Sequence, residues 1–376
     1  MKIISAKMMA IGGGALLALS LASGGVYAQA APQPQSQPQP SWAPPTGPLT
    51  PEEEAKLRPI APELRAPARM AMGFSKMMGT INEAMVLASR KNGRGGPPLV
   101  PPLPDVPVVE QMIPGANHAP DIKLYVINAK AGTSRPGILH THGGGFILGT
   151  AATDVRRLQA LARELDCVIV SVEYRLAPET DYTGSIEDNY AGLSWMYHNA
   201  AQLGLDRSRI AVTGESAGGG HAALLAITAR DRGEIPILFQ ALVYPMLDDR
   251  TGGVVKEPAH IATVGWSASE NQYGWRAFLR QQPGTAEVPV RAVPARTKSL
   301  AGLPPTFIEV GGVDLFVGED IDYARRLNEA GVPTELLVVP GAFHGFDGLA
   351  PDSPQAQQFT HAKVEALRRA FARGRN

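Results

Sequence analysis

From residue 108 onward, short apolar runs rich in β-branched residues alternate with longer stretches whose apolar positions recur every three or four residues. Runs of the first kind occur at Val108 to Ile113, Lys123 to Asn128, Gly137 to Leu139 and Val168 to Val172. They recur at Ile210 to Thr213, Phe239 to Tyr244, Thr306 to Val310 and Glu335 to Val339. Helical spacing predicts helices over Thr153 to Leu165, Ile186 to Asn199, Ser216 to Arg230, Glu319 to Ala330 and Gln357 to Phe371. This alternation predicts an α/β fold: a mostly parallel sheet of about eight strands flanked by helices. The nearly unbroken apolar run from Cys167 to Val172 suits a strand buried on both faces, as parallel sheets require.

Ahead of the alternation, Leu57, Leu64, Met70, Phe74, Met77, Met78, Ile81, Met85 and Leu87 fall at helical rather than strand spacing. Two helices are expected there. Their methionines suit ordinary packing and an adaptable lid over a pocket equally, so residues 49–97 are expected to form a helical segment that packs on the main domain or caps it. The main domain is then 98–376, with a second cap insertion near 250–285.

The N-terminus has a different character. Lys2 and Lys7 precede an apolar stretch from Met8 to Val26, followed by the small-residue pattern Val26-Tyr27-Ala28. Residues 1–28 therefore read as an export signal cleaved after Ala28, and a periplasmic or secreted protein is expected. Glycines at 12, 13, 14, 24 and 25 argue against a permanent anchor, so no stable membrane insertion is expected after cleavage. Residues 29–48, rich in Pro, Gln and Ser, cannot bury enough apolar surface to offset the entropy of ordering and read as a disordered linker.

Composition narrows the class of partner. The 376 residues are 44% apolar, ample for a large core, and 35 basic against 35 acidic residues leave no net charge. Nothing in that balance calls for nucleic acid or an anionic surface; a small neutral ligand fits better. The single cysteine, Cys167, has no internal disulfide partner and reads as a buried thiol.

Candidate chemistry begins at Gly214-Glu215-Ser216-Ala217-Gly218, between an apolar strand and an Ala-rich helix. A strand-turn-helix Gly-x-Ser-x-Gly elbow holds its serine at the sheet edge, and the glycines flanking Ser216 relieve collisions in so sharp a turn. A second motif, His140-Thr141-His142-Gly143-Gly144-Gly145-Phe146, follows the strand ending at Leu139. Its glycines free the backbone N–H groups of Gly143, Gly144 and Gly145 to join that of Ala217 in binding an oxyanion. His142 is expected to fix this loop by hydrogen bonding, and Phe146 to border the acyl pocket or to pack in the core.

A serine nucleophile needs a base, and on such a fold acid and histidine follow it in the chain. His221, His260, His344 and His361 satisfy that order. His344 is preferred because Gly341-Ala342-Phe343-His344 follows a strand's C-terminal end, where ligand-handling groups collect in open α/β sheets. Asp314, just after the strand Phe307 to Val310, is the preferred acid. Glu319 is the alternative, although a helix start already explains an acidic residue there.

With these residues placed, the chain from about Glu110 onward resembles the bacterial hormone-sensitive-lipase-like esterases, an α/β-hydrolase family. Further shared segments are Glu173-Tyr174-Arg175-Leu176-Ala177-Pro178-Glu179, Tyr244-Pro245-Met246-Leu247-Asp248-Asp249-Arg250, Gly302-Leu303-Pro304-Pro305-Thr306 and Gly341-Ala342-Phe343-His344-Gly345-Phe346. The resemblance implies a serine esterase for short- to medium-chain acyl groups, with Ser216, Asp314 and His344 as its triad. It also implies a cap from the N-terminal helices and no metal or organic cofactor. A homodimer is a further expectation. Departures are Glu215, where the family commonly has aspartate, Val317-Gly318-Glu319 in place of an Arg-Asp-Glu run, and Thr180 to Ser185 in place of a Pro-rich stretch. The same triad would serve a lactone, an amide or an acetylated sugar, and a non-catalytic ligand-binding protein on this fold is the reading from another class.

Overall fold

The computed structural model describes residues 47–91 and 100–374. The expected export signal, and the linker up to residue 46, lie outside the described residues. Among the described residues, no helix is long and apolar enough to cross a membrane.

The first described elements are three short helices, α1 (Pro51–Leu57), α2 (Arg65–Met78) and α3 (Glu83–Lys91), with a 3-10 turn at Pro62–Leu64. Two helices were expected. Pro62 opens the separate turn, and Gly79, at φ +69°, ends α2 in a conformation that costs glycine little. Then follow β1 (Val108–Ile113), β2 (Ile122–Ile127), β3 (Arg135–Thr141), α4 (Ala151–Leu165), β4 (Val168–Glu173), α5 (Tyr182–His198) and α6 (Ala200–Leu203). The second half comprises β5 (Leu205–Glu215), α7 (Ala217–Arg232), β6 (Phe239–Val243), α8 (Ala268–Leu279), β7 (Thr306–Gly311), α9 (Val317–Glu329) and β8 (Thr334–Val339). Two helices close the chain, α10 (Phe346–Leu349) and α11 (Pro354–Arg373).

The strands form one eight-stranded sheet in the order β1-β2-β4-β3-β5-β6-β7-β8. β2 runs antiparallel to β1 and β4, and all remaining pairs are parallel. The expected eight strands and mostly parallel sheet are thus present.

Period-2 geometry explains how apolar runs serve two layers. Leu139, Val170, Val212, Leu242 and Ile308 point to one face, where α5, α7 and α9 supply Leu193, Leu225 and Leu327. Their neighbours Ile138, Ile169, Ala211, Ala241 and Phe307 point to the other, against Leu158 of α4 and Leu367 of α11. Cys167 is buried on that second face, as expected. Each such large side chain contributes roughly 1.5–3 kcal/mol by leaving water.

The N-terminal helices pack near the C-terminal ends of the strands. Leu57, Ile60, Leu64 and Ala68 bury against Phe343, Phe346 and Phe359, whereas Val86 of α3 joins a separate cluster with Phe146 and Trp275.

Candidate active site

The β5-to-α7 turn puts Ser216 at φ +58°, ψ −123°, a backbone state that a residue with a Cβ adopts only when its surroundings impose it. Those surroundings are explicit. Ser216 donates its N–H to Val243 O at 2.9 Å, and its carbonyl accepts from Gly220 and Met246, each at 3.0 Å. A Cβ on Gly214 would lie 2.4 Å from the Gly218 carbonyl, and one on Gly218 would lie 2.1 Å from Thr141 O. Both positions therefore require glycine.

Ser216 Oγ lies 3.0 Å from His344 Nε2, and His344 Nδ1 lies 2.8 Å from Asp314 Oδ2. The other carboxylate oxygen of Asp314 accepts the Phe316 N–H at 3.0 Å, which fixes the carboxylate plane. Asp314 is fully buried, and the rings of Tyr244 and Phe316 meet the imidazole edge-on at centroid distances of 4.7 and 5.1 Å. The three residues come from turns after β5, β7 and β8, and the fold brings them into a continuous chain.

The glycine loop lies beside that chain. Gly144 and Gly145 have φ of +125° and +61°, and a Cβ on Gly144 would fall 2.1 Å from Leu148 O. Among the described residues, the N–H groups of Gly143, Gly144 and Gly145 have no protein acceptor. Ala217 opens α7, where the first N–H groups also lack intrahelical partners. His142 holds the loop as expected: its Nδ1 is 2.9 Å from Gly143 O, its ring stacks on Tyr174 at 4.1 Å, and Tyr174 donates to His142 O at 2.5 Å. Burial pushes the His142 pKa down and keeps the ring neutral. Phe146 is a core aromatic, stacked on Phe278 at 4.1 Å.

The rejected candidates lie elsewhere. Glu319 accepts the N–H of Leu247 at 2.6 Å and the hydroxyl of Thr251, so its carboxyl anchors the loop after β6. Burial and the neighbouring Asp248 push its pKa well up. His221 is buried on α7 with neither ring nitrogen bonded among the described residues, and burial lowers its pKa to about 3. His260 and His361 are exposed.

The charged cluster around Glu215 leaves no local pattern in the sequence. Its carboxylate lies 2.8 Å from Arg157 Nη1, 2.9 Å from His140 Nε2 and 3.7 Å from Lys363 Nζ. Burial alone would raise its pKa, but Arg157 and His140 outweigh that and hold it well below the usual carboxylate range. His140, Asp154 and Glu215 are the one group of metal-ligand type among the described residues. Arg157 already pairs with both carboxylates, at 3.0 Å to Asp154, so the cluster is an ion-pair network with its cations in place.

Comparison with known proteins agrees with this geometry. Residues 138–348 match the family model described as alpha/beta hydrolase fold. The chain is 36% identical over 276 residues to Esterase LipI of Mycobacterium tuberculosis, covering 72% of this chain and 84% of that protein. It is 30% identical to an arylesterase of Saccharolobus solfataricus, covering 61% of this chain and 73% of the relative. Among solved structures, the bacterial heroin esterase superposes with a TM-score of 0.73 at 33% identity, covering 84% of this chain and 99% of that one. Esterase LipW from Mycobacterium marinum gives 0.68 at 34% identity, covering 84% and 97%. The chain belongs to the α/β-hydrolase fold family, in its hormone-sensitive-lipase-like branch.

Proposed function

We propose that this protein is a serine carboxylesterase that hydrolyses short- to medium-chain carboxylic esters through an acyl-enzyme on Ser216. The observation that carries the reading is the unbroken relay Ser216 Oγ to His344 at 3.0 Å and His344 to Asp314 at 2.8 Å, beside backbone N–H groups without acceptors among the described residues.

In this mechanism His344 takes the proton of Ser216 as the hydroxyl attacks the ester carbonyl. Asp314, held by Phe316 N–H, fixes the imidazole tautomer and stabilises the imidazolium. Negative charge gathers on the carbonyl oxygen, which the N–H groups of the glycine loop and Ala217 receive; one such donor is worth roughly 100- to 1000-fold in rate. His344 then protonates the departing alcohol, and water repeats the cycle on the acyl-enzyme. Helices α1 to α3 and the segment near 250–285 serve as the cap in this reading. The N-terminal pattern supports export, which N-terminal sequencing of the mature protein tests.

The test of function is hydrolysis of p-nitrophenyl esters from acetate to palmitate. Turnover strongest on the shorter chains and abolished in Ser216→Ala is expected. Turnover no greater than that of the variant on every ester would overturn the reading.

A further inference from the structure

Between β6 and α8 the chain forms an irregular strap, residues 261–266, that touches each corner of the site. Ala262, at φ +55°, donates its N–H to Val313 O at 2.9 Å, next to Asp314. Gly265, at φ +89°, lies against His344: a Cβ there would sit 3.0 Å from His344 O and 3.1 Å from its Cβ. Trp266 rests on the glycine loop, since a Cβ on Gly145 would fall 2.4 Å from Cη2 and 2.5 Å from Cζ2 of the indole.

The strap is pinned at both ends. Thr263 donates to Lys56 O of α1 at 2.8 Å, and Trp266 Nε1 donates to Asn271 Oδ1 at 3.3 Å. Asn271 is itself buried and donates to Thr251 O at 2.9 Å, so the indole is held at a set angle. Trp266 stays partly exposed while packing on the apolar cluster of Phe146 and Trp275, to which Ile81, Met85 and Tyr273 also add partly buried surface.

We propose that Trp266 is the residue that limits acyl length, its indole standing across the path of the acyl chain. The proposal rests on the esterase reading and follows from where the three substituents of the reacting carbon must go. The leaving alcohol faces His344, which has to protonate it. The carbonyl oxygen faces the loop N–H groups. The acyl chain takes the remaining direction, along the apolar surface beside Gly145 where Trp266 stands. A side chain that closes a hydrophobic pocket discriminates by roughly 10- to 200-fold per methylene or so of misfit.

The test compares kcat/KM for p-nitrophenyl acetate through palmitate in wild type, Trp266→Leu and Trp266→Ala, and for butyrate esters of alcohols of increasing size. The octanoate-to-butyrate ratio is expected to rise on the order of tenfold in Trp266→Ala and less in Trp266→Leu, with the alcohol series unmoved. An unchanged acyl ratio in both variants, a uniform loss on every acyl chain, or a change confined to the alcohol series would overturn the proposal. If the wild type itself hydrolyses none of these esters, the esterase reading fails and the proposal with it; an active wild type with an unmoved ratio defeats the proposal alone.

Discussion

The Glu215 carboxylate, one residue before Ser216, lies 2.8 Å from the Arg157 guanidinium. This pair ties the turn that carries Ser216 to α4, and His140 and Lys363 extend the tie to β3 and α11. Removing the carboxylate strands the Arg157 and Lys363 cations near the protein interior. Glu215→Ala is therefore expected to cost about 2–3 kcal/mol, a little under the range for a fully buried pair because Arg157 is partly exposed. Because Glu215 is held well below its ordinary pKa, its contribution is present above the usual carboxylate range and is lost as pH falls through the folded value. Urea unfolding of wild type and Glu215→Gln from neutral to acid pH checks this: the gap between them should close on the acid side.

Glu309 has the opposite sign. It is fully buried on β7, neither oxygen has a partner among the described residues, and burial pushes its pKa well up. The folded protein keeps its proton while the unfolded chain releases it above about pH 4.3. Stability is lost as pH rises from that point towards the folded pKa, at up to about 1.4 kcal/mol per pH unit. Melting temperatures of wild type and Glu309→Gln at pH 5 and pH 8 should therefore diverge in favour of the variant at the higher pH.

Asp314→Asn keeps the side-chain shape but offers His344 an amide in place of a carboxylate. The imidazole then loses its stabilising charge and is free to take the wrong tautomer. A fall in kcat of roughly 10,000-fold with little change in melting temperature is expected. Steady-state kinetics with p-nitrophenyl butyrate tests it.

Arg90 anchors α3. Its guanidinium donates to Ile147 O at 2.8 Å, to Ala177 O and to Glu179, so the helix end is bound to segments flanking the glycine loop. Arg90→Ala is expected to speed amide exchange across residues 83–91 at least tenfold, the rate change for about 1.4 kcal/mol of local stability. Unchanged exchange would mean that Val86 and its apolar neighbours hold the helix unaided.

The strands were legible because each carries a compact apolar run, and a mostly parallel sheet followed from their alternation with helices. Ser216, Asp314 and His344 were legible because each sits in a short motif just beyond a strand. Other features leave no local trace. Glu215 finds its partners at positions 140, 157 and 363, and no periodicity joins those positions. Helix α5 begins at Tyr182, earlier than its apolar spacing indicated, because Asp181 caps it through the Thr183 N–H at 3.0 Å. The strap at 261–266 has neither helical nor strand spacing, and Trp266 meets Gly145 only through the fold.

The most direct test of the account is stoichiometric labelling by a fluorophosphonate, which reacts with an activated serine hydroxyl, followed by peptide mass mapping. One adduct per chain, on the peptide containing Ser216, with ester hydrolysis lost in step and labelling sharply slowed in His344→Ala, is the predicted result. An adduct on another residue, or ester turnover that persists in Ser216→Ala, would contradict it.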